Sequence, residues 1–384
     1  MYDLIIIGGG PSGASAGRRA GKLGLNTLLL EKEEFPRYKP CAGGLSTRAI
    51  SYLDFELPQY IIEREVMGLR GIFKNRIIEV HKDHSVSSLV SRSAFDNFLL
   101  KKARETKIEI HTGEKVLSCE EKSEFVEIIT KKGTYQAKFA IVAEGAHGIL
   151  KTCVRPADDE NKYGVCVVTE VLANEDEIEK SFGSVVEIHF GVADGGYGWI
   201  FPHKNYYSVG IGGIAKDFPR PREKIHKFLI NNGFTGDYKL KGHKIPLGGI
   251  KRKISGSRVL LSGDAAGFVD AVSGEGLAYA ISSGQFAAEV IAGICLHGGN
   301  IKDLSEYESL CQTEFGTHLK YSLVSSRLIH RFPEISFNMA INNREILSKC
   351  LDVVDSSIDY KGYLCWSLKA FPLVFLRKLK SGYQ

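Results

Sequence analysis

The chain has 384 residues, 43% hydrophobic and 25% charged, which is enough for two or three domains sharing more than one core. Fifty basic and 45 acidic residues leave a formal charge of +5, with no basic block interleaved with aromatics, so no nucleic acid is expected as a partner. Its eight cysteines form no C-x-x-C pair, which argues against zinc or an iron–sulfur cluster, and no uninterrupted apolar run reaches the length of a membrane span.

A continuous β-branched run over 3–8 predicts a strand buried on both faces. Small residues over 11–23 suit a helix packed closely on that strand, and Asn26 to Glu31 predicts a second strand. Together they make one βαβ unit. Residues 32–60 predict loop and short helix. Residues 68–80 and 86–91 predict strands, and Ser93 is expected to cap a helix running to Arg104. Three or four short strands follow between 107 and 143. The aromatic, strand-rich 164–214 predicts an antiparallel sheet, and 257–264 another buried strand ending at Gly263-Asp264. A helix is expected from about 275 to 297, and 301–384 is mainly helical.

Gly8-Gly9-Gly10-Pro11-Ser12-Gly13 satisfies G-x-G-x-x-G between strand and helix. Gly8 permits the tight turn, Gly10 lets backbone approach a pyrophosphate, and Gly13 lets the helix pack on the strand. The helix N-terminus adds free N–H groups and a partial positive charge. Glu31, at the end of the second strand, can accept both hydroxyls of an adenosine ribose. This fingerprint alone does not separate FAD from NAD. Two later segments do: Ala143-Glu144-Gly145-Ala146-His147-Gly148, similar to the second fingerprint of the flavoprotein hydroxylase superfamily, and Gly263-Asp264-Ala265-Ala266-Gly267, continuing to Gly274-Glu275-Gly276-Leu277. Asp264 can take a hydrogen bond from a ribityl chain, and backbone donors at Gly274 and Gly276 can face the pyrimidine edge of a flavin. FAD is the expected cofactor.

Three further segments carry a resemblance: Arg37-Tyr38-Lys39-Pro40-Cys41-Ala42-Gly43-Gly44-Leu45, Ser91-Arg92-Ser93-Ala94-Phe95-Asp96 and Tyr197-Gly198-Trp199-Ile200-Phe201-Pro202. Over roughly residues 1–330 the chain resembles the geranylgeranyl reductase family, FAD-dependent enzymes within the para-hydroxybenzoate hydroxylase-like superfamily. It looks most like the archaeal-type digeranylgeranylglycerophospholipid reductases. The resemblance implies saturation of isoprenoid double bonds, with hydride from reduced FAD reaching one carbon and a proton the other. It places Ser12, Glu31, Cys41, Ala42, Gly44, Arg92, Val116, Asp264, Gly276 and Leu277 at FAD, alongside Gly8, Gly10 and Gly13 of the loop. Cys41, in a loop too glycine-rich for a core element and near the cations Lys39 and Arg37, is the candidate catalytic residue. Water is the other candidate proton donor. Arg92 can reach FAD oxygens or pair with Asp96 four residues on. Tyr197 and Trp199 would line an apolar substrate cavity or pack as ordinary sheet.

The expected architecture is α/β: a discontinuous, Rossmann-like FAD-binding domain (1–55, 85–150 and 255–300), an antiparallel β-sheet substrate domain (56–84 and 151–254) and a helical C-terminal region (301–384). No metal site is expected, and His81-x-x-His84 reads as surface. The implied partners are an isoprenoid lipid and an electron donor that could be ferredoxin, a reduced deazaflavin or NADPH. A core strand at the start with no signal peptide before it suggests a cytoplasmic, reduced protein. Residues 363–380 mix apolar and basic residues and suit either helical packing or peripheral contact with the inner face of a membrane. Three rivals stand beside the reductase: a flavin monooxygenase or halogenase, for which Trp199-Ile200-Phe201-Pro202 is suggestive although Tyr197 replaces the first tryptophan; an electron carrier of the quinone-oxidoreductase type; and a lipid-binding flavoprotein without turnover.

Overall fold

Strand β1 (Tyr2–Ile7), helix α1 (Pro11–Lys22) and strand β2 (Thr27–Leu30) form the expected βαβ unit in the computed structural model, which describes residues 1–159, 162–298 and 304–370. The strands pair in parallel, with Ile6 opposite Leu29, and both are buried on both faces. That burial explains why neither alternates apolar and polar residues. The next elements are β3 (Gly44–Ser46), α2 (Thr47–Ser51), β4 (Ile62–Val66), β5 (Gly68–Phe73), β6 (Arg76–His81), β7 (Ser87–Val90) and α3 (Arg92–Arg104).

Two local expectations need correction here. The single strand expected over 68–80 is the hairpin β5–β6, reversed at Lys74, which takes a left-handed φ of +57°. Ser91, not Ser93, occupies the N-cap position of α3 and makes no side-chain capping bond.

The three or four strands expected between 107 and 143 are four: β8 (Glu109–His111), β9 (Val116–Glu121), β10 (Val126–Thr130) and β11 (Thr134–Val142). Then follow β12 (Gly164–Leu172), α4 (Glu175–Phe182), β13 (Val185–Phe190), β14 (Tyr197–Pro202), β15 (Tyr206–Ile214), α5 (Pro221–Asn231), β16 (Lys241–Ile245), β17 (Val259–Leu261) and α6 (Leu277–His297). The C-terminal helices are α7 (Ser305–Cys311), α8 (Thr317–Arg331), α9 (Pro333–Asn342), α10 (Arg344–Val354) and α11 (Tyr360–Ala370).

The first sheet runs β8-β2-β1-β11-β10-β9, with β17 also paired to β11. It is parallel around β1 and antiparallel at β9–β10–β11. The second runs β16-β12-β15-β14-β13-β5-β6 and is antiparallel except where β13 meets β5. A small third sheet, β3-β7-β4, stands apart from both. Helix α5 buries Ile225, Phe228 and Leu229 against the second sheet. Helices α9 and α10 cover other parts of it, with Leu347 packed among Val66, Val80 and Val186 and Phe337 stacked on Phe190. Helix α6 is long and apolar enough by composition to cross a bilayer, yet Ala278, Tyr279, Ile281 and Ile291 lie fully inside the core of the first sheet.

Candidate functional site

A cavity of about 990 Å³ runs from the C-terminal ends of β1 and β2, under the second sheet, to α8, α10 and α11. Gly8, Gly10, Ser12, Glu31, Cys41, Ala42, Gly44, Arg92, Val116, Tyr197, Trp199, Asp264, Gly276 and Leu277 all line it. Of the expected site residues only Gly13 does not, because its work is behind the loop. A Cβ on Gly13 would stand 1.8 Å from the Gly8 carbonyl oxygen, so only hydrogen fits there. Gly8 itself holds φ +108°, and a Cβ there would stand 2.4 Å from the Ala143 carbonyl oxygen. At Gly10 the space is open, and a Cβ would meet only the tip of Arg37, at 3.5 Å. The cradle is therefore open backbone facing the cavity at the N-terminus of α1.

Glu31 is buried and closes the loop from the second strand. Its carboxylate accepts from Gly9 N at 2.6 Å and Glu33 N at 2.8 Å. Each oxygen keeps capacity for a further donor. Ser12 Oγ lies 2.6 Å from Ser262 Oγ, which lies 2.9 Å from Ser283 Oγ, so a serine chain ties α1 to the segment before Asp264.

Arg92 lines the cavity and also makes the local ion pair that the sequence allowed. Its Nε and Nη2 are committed to Asp96, at 2.8 and 2.9 Å, in the i,i+4 pair that the sequence also allowed. Burial works against the Arg92 charge, but Asp96 and Cys41 beside it outweigh that and push the guanidinium pKa up. Arg37, which the sequence offered only as a neighbour of Cys41, is better placed for an anion. It is salt-bridged through Nη1 to Asp96 at 3.0 Å, while its Nη2 is the one atom that a Cβ on Gly10 would meet, at 3.5 Å.

The Cys41 loop bridges both halves of the molecule. Gly43 N donates to Cys41 Sγ at 3.4 Å, His203 Nε2 lies 2.9 Å from the Ala42 carbonyl, and Ser208 Oγ donates to the Cys41 carbonyl at 3.3 Å. Trp199 is 7% exposed and packs with Cys166, Val168, Ala42 and Phe201. The Tyr197 hydroxyl donates to the Ser273 carbonyl and so anchors the second sheet to the 270–276 turn.

A basic group that the sequence does not single out lies beside Asp264. His147 Nε2 is 3.0 Å from His243 Nδ1, His243 Nε2 is 3.3 Å from Lys39 Nζ, and Asp264 is 3.9 Å from His243. Burial pushes His147 down to about 4, with His243 and Lys39 adding to the effect. Burial likewise lowers His243 and Lys39. Burial opposes the Asp264 charge, but His243, Lys39 and Arg92 hold its carboxyl below the usual range. Residues from 39, 147, 243 and 264 meet only through the tertiary fold, and no spacing announces them.

Elsewhere, His81 pairs with Glu79 and His84 with Asp83 and Asp355, both half exposed, and no metal-ligand cluster occurs among the described residues. The stretch 363–380 lies partly outside the described residues; its first part is α11, whose Trp366 packs toward α10.

Residues 1–209 match the FAD binding domain family. An uncharacterised protein of Methanosarcina barkeri is 32% identical over 347 residues, 89% of this chain and 87% of its own. The menaquinone reductase of Mycobacterium tuberculosis is 30% identical over 312 residues, covering 75% and 76%. The digeranylgeranylglycerophospholipid reductase of Methanococcus vannielii is 27% identical over 324 residues, covering 80% and 81%. Among solved structures, a geranylgeranyl bacteriochlorophyll reductase-like protein of Thermoplasma acidophilum superposes with a TM-score of 0.84 at 22% identity, over 99% of this chain and 98% of that one. A flavin-dependent brominase superposes at 0.72 and 19%, over 92% and 94%.

Cradle, cavity and family match together define an FAD-dependent oxidoreductase. The open backbone at Gly10, with the Arg37 guanidinium beside it, and the spare acceptor capacity of Glu31 fit an adenosine diphosphate moiety. Within that class the chain belongs to the FAD binding domain family.

Proposed function

We propose that the chain saturates carbon–carbon double bonds of geranylgeranyl-type isoprenoid chains carried by a lipid. One observation carries this reading: beside Cys41 and Trp199 the cavity is lined by Val186, Ile188 and Phe190 of β13 and by Leu347 and Leu351 of α10, all apolar. Such an apolar lining suits a prenyl chain. The names of the Methanococcus vannielii, Nicotiana tabacum and Rhodobacter capsulatus relatives support the same substrate class.

In this reading Glu31 holds the ribose, and Gly10, Ser12 and Arg37 receive the pyrophosphate. Val116, Arg92 and Asp264 line the ribityl region, while Gly276 and Leu277 address the pyrimidine edge. Bound FAD supplies the hydride. Cys41, with Ala42 and Gly44 beside it, holds the proton for the second carbon. Tyr197 and Trp199 keep water off the alkene by roofing the cavity. The donor of electrons, whether ferredoxin, reduced deazaflavin or NADPH, is outside what the site's chemistry selects.

Anaerobic mixing of dithionite-reduced protein with a geranylgeranyl-chain phospholipid tests the proposal. Flavin reoxidation with gain of two hydrogens per bond in the lipid is the expected result. Reoxidation only by oxygen would favour the monooxygenase or halogenase rival, to which the brominase-like fold and the Trp199-Ile200-Phe201-Pro202 segment point. A flavin that no reductant bleaches would mark a lipid-binding flavoprotein.

A further inference from the structure

Helices α7 and α8 are joined through a π-helical turn, Gln312–Gly316. Such turns insert a residue, rotate the helical turn after them and recur at functional sites. Two residues later comes His318, which lines the far side of the cavity with its side chain 8% exposed. Its Nδ1 is buried and has no hydrogen-bond partner. Its Nε2 lies 3.4 Å from Asp270 Oδ2.

Asp270 is 1% exposed, and it grips the turn at Ser273–Gly276. Its Oδ1 accepts from Val272 N at 2.7 Å, Ser273 N at 2.9 Å and Ser322 Oγ at 2.7 Å, with the Tyr360 hydroxyl at 3.3 Å. Its carbonyl accepts from Gly274 N at 3.1 Å, and its own N–H donates to the Glu275 carbonyl at 2.9 Å. Any change in the charge of the pair therefore acts directly on the turn expected to face the pyrimidine edge of the flavin. Burial opposes the Asp270 charge, while His318 and these donors hold its carboxyl below the ordinary range.

We propose that His318 is a proton acceptor that balances charge when the bound flavin is reduced, with Asp270 as the positioning residue that couples it to the Ser273–Gly276 turn. A bound flavin that took two electrons from an external reductant with one proton would add one net negative charge to the site. One further proton passes from solvent to His318 Nδ1, the nitrogen with a free lone pair. The imidazolium would then be held by Asp270 on the wall of the cavity. Other ionisable groups around the pair are Glu275 with Ser46 from the β3–α2 junction, Arg48 of α2 against Tyr279 of α6 (3.1 Å), Tyr360 of α11 and Cys350 of α10. Glu275, raised by burial, is the one group there that would compete for the proton.

The inference rests on FAD binding and not on the alkene reading, so the test uses no lipid. The midpoint potential of the FAD-loaded protein is measured against pH from 6 to 8. Each proton taken up makes the reduction constant tenfold more dependent on pH per unit, about 30 mV for a two-electron couple. Wild type should show the two-proton slope and His318→Gln the one-proton slope. Asp270→Asn should move the pH at which the slope changes downward. Ser322→Ala, which removes one donor from Asp270 and should move that break upward, serves if either variant fails to fold. A one-proton slope in wild type overturns the proposal without any variant. So does a His318→Gln slope equal to wild type. A break that neither Asp270→Asn nor Ser322→Ala moves removes Asp270 from it.

Discussion

Gly9 donates its amide hydrogen to Glu31 Oε2 across 2.6 Å, so the residue expected to hold the ribose also holds the glycine loop against the second strand. The two duties share one buried carboxylate, and a substitution there tests both.

Glu31→Ala should weaken FAD retention by about 1–3 kcal/mol, the worth of a charge-assisted hydrogen bond, with further loss from the freed Gly9 and Glu33 amides. Equilibrium dialysis with fluorescence detection measures it. Wild type should release FAD on denaturation, and recovery of FMN would contradict the adenosine-binding role.

Trp199 is buried among Cys166, Val168 and Ala42, so Trp199→Ala should cost about 3–5 kcal/mol of stability as well as prenyl turnover. Trp199→Phe separates the two effects. It should fold with full FAD content and turn over a long prenyl substrate more slowly than wild type. Unchanged turnover in Trp199→Phe, with a lowered Tm, would assign the ring to packing alone.

Cys41→Ser and Cys41→Ala should both bind FAD, bleach normally with dithionite, and lose alkene reduction by roughly 10²–10⁴-fold, the range of general acid–base assistance. Single-turnover oxidation of pre-reduced protein by a prenyl lipid, without oxygen, is the measurement. Equal rates in all three proteins would leave Cys41 as a wall of the cavity.

His147 has a folded pKa near 4 against an ordinary 6.5, so the unfolded chain binds the proton more readily. Stability from this group is fully present above about pH 6.5 and falls as pH drops toward 4. His243 and Lys39, also lowered, act in the same direction, each over its own range. His147→Gln should flatten the acid side of a plot of Tm against pH between 6.5 and 4. An identical slope in both proteins would mean that His147 titrates freely in solvent.

Contiguous chemistry was legible in the sequence by itself: the Gly8–Gly13 turn, Glu31 one strand later, and the Gly263–Leu277 segment need only a strand, a turn and a helix start to present their groups. Buried strands announced themselves because burial on both faces demands unbroken apolar runs. Local competition was harder to read. Arg92 could reach FAD or Asp96 by sequence, and the fold gives it the pair with buried Asp96, shared with Arg37, on the wall of the cavity. What the tertiary structure alone decided is which distant residues share the cavity: Lys39 with His243, Ser208 with Cys41, Asp270 with His318. Such pairs stand tens to hundreds of positions apart, and neither periodicity nor spacing constrains them. They arise from the way the second sheet and the C-terminal helices close over the first sheet, a packing result set by apolar burial across the whole chain.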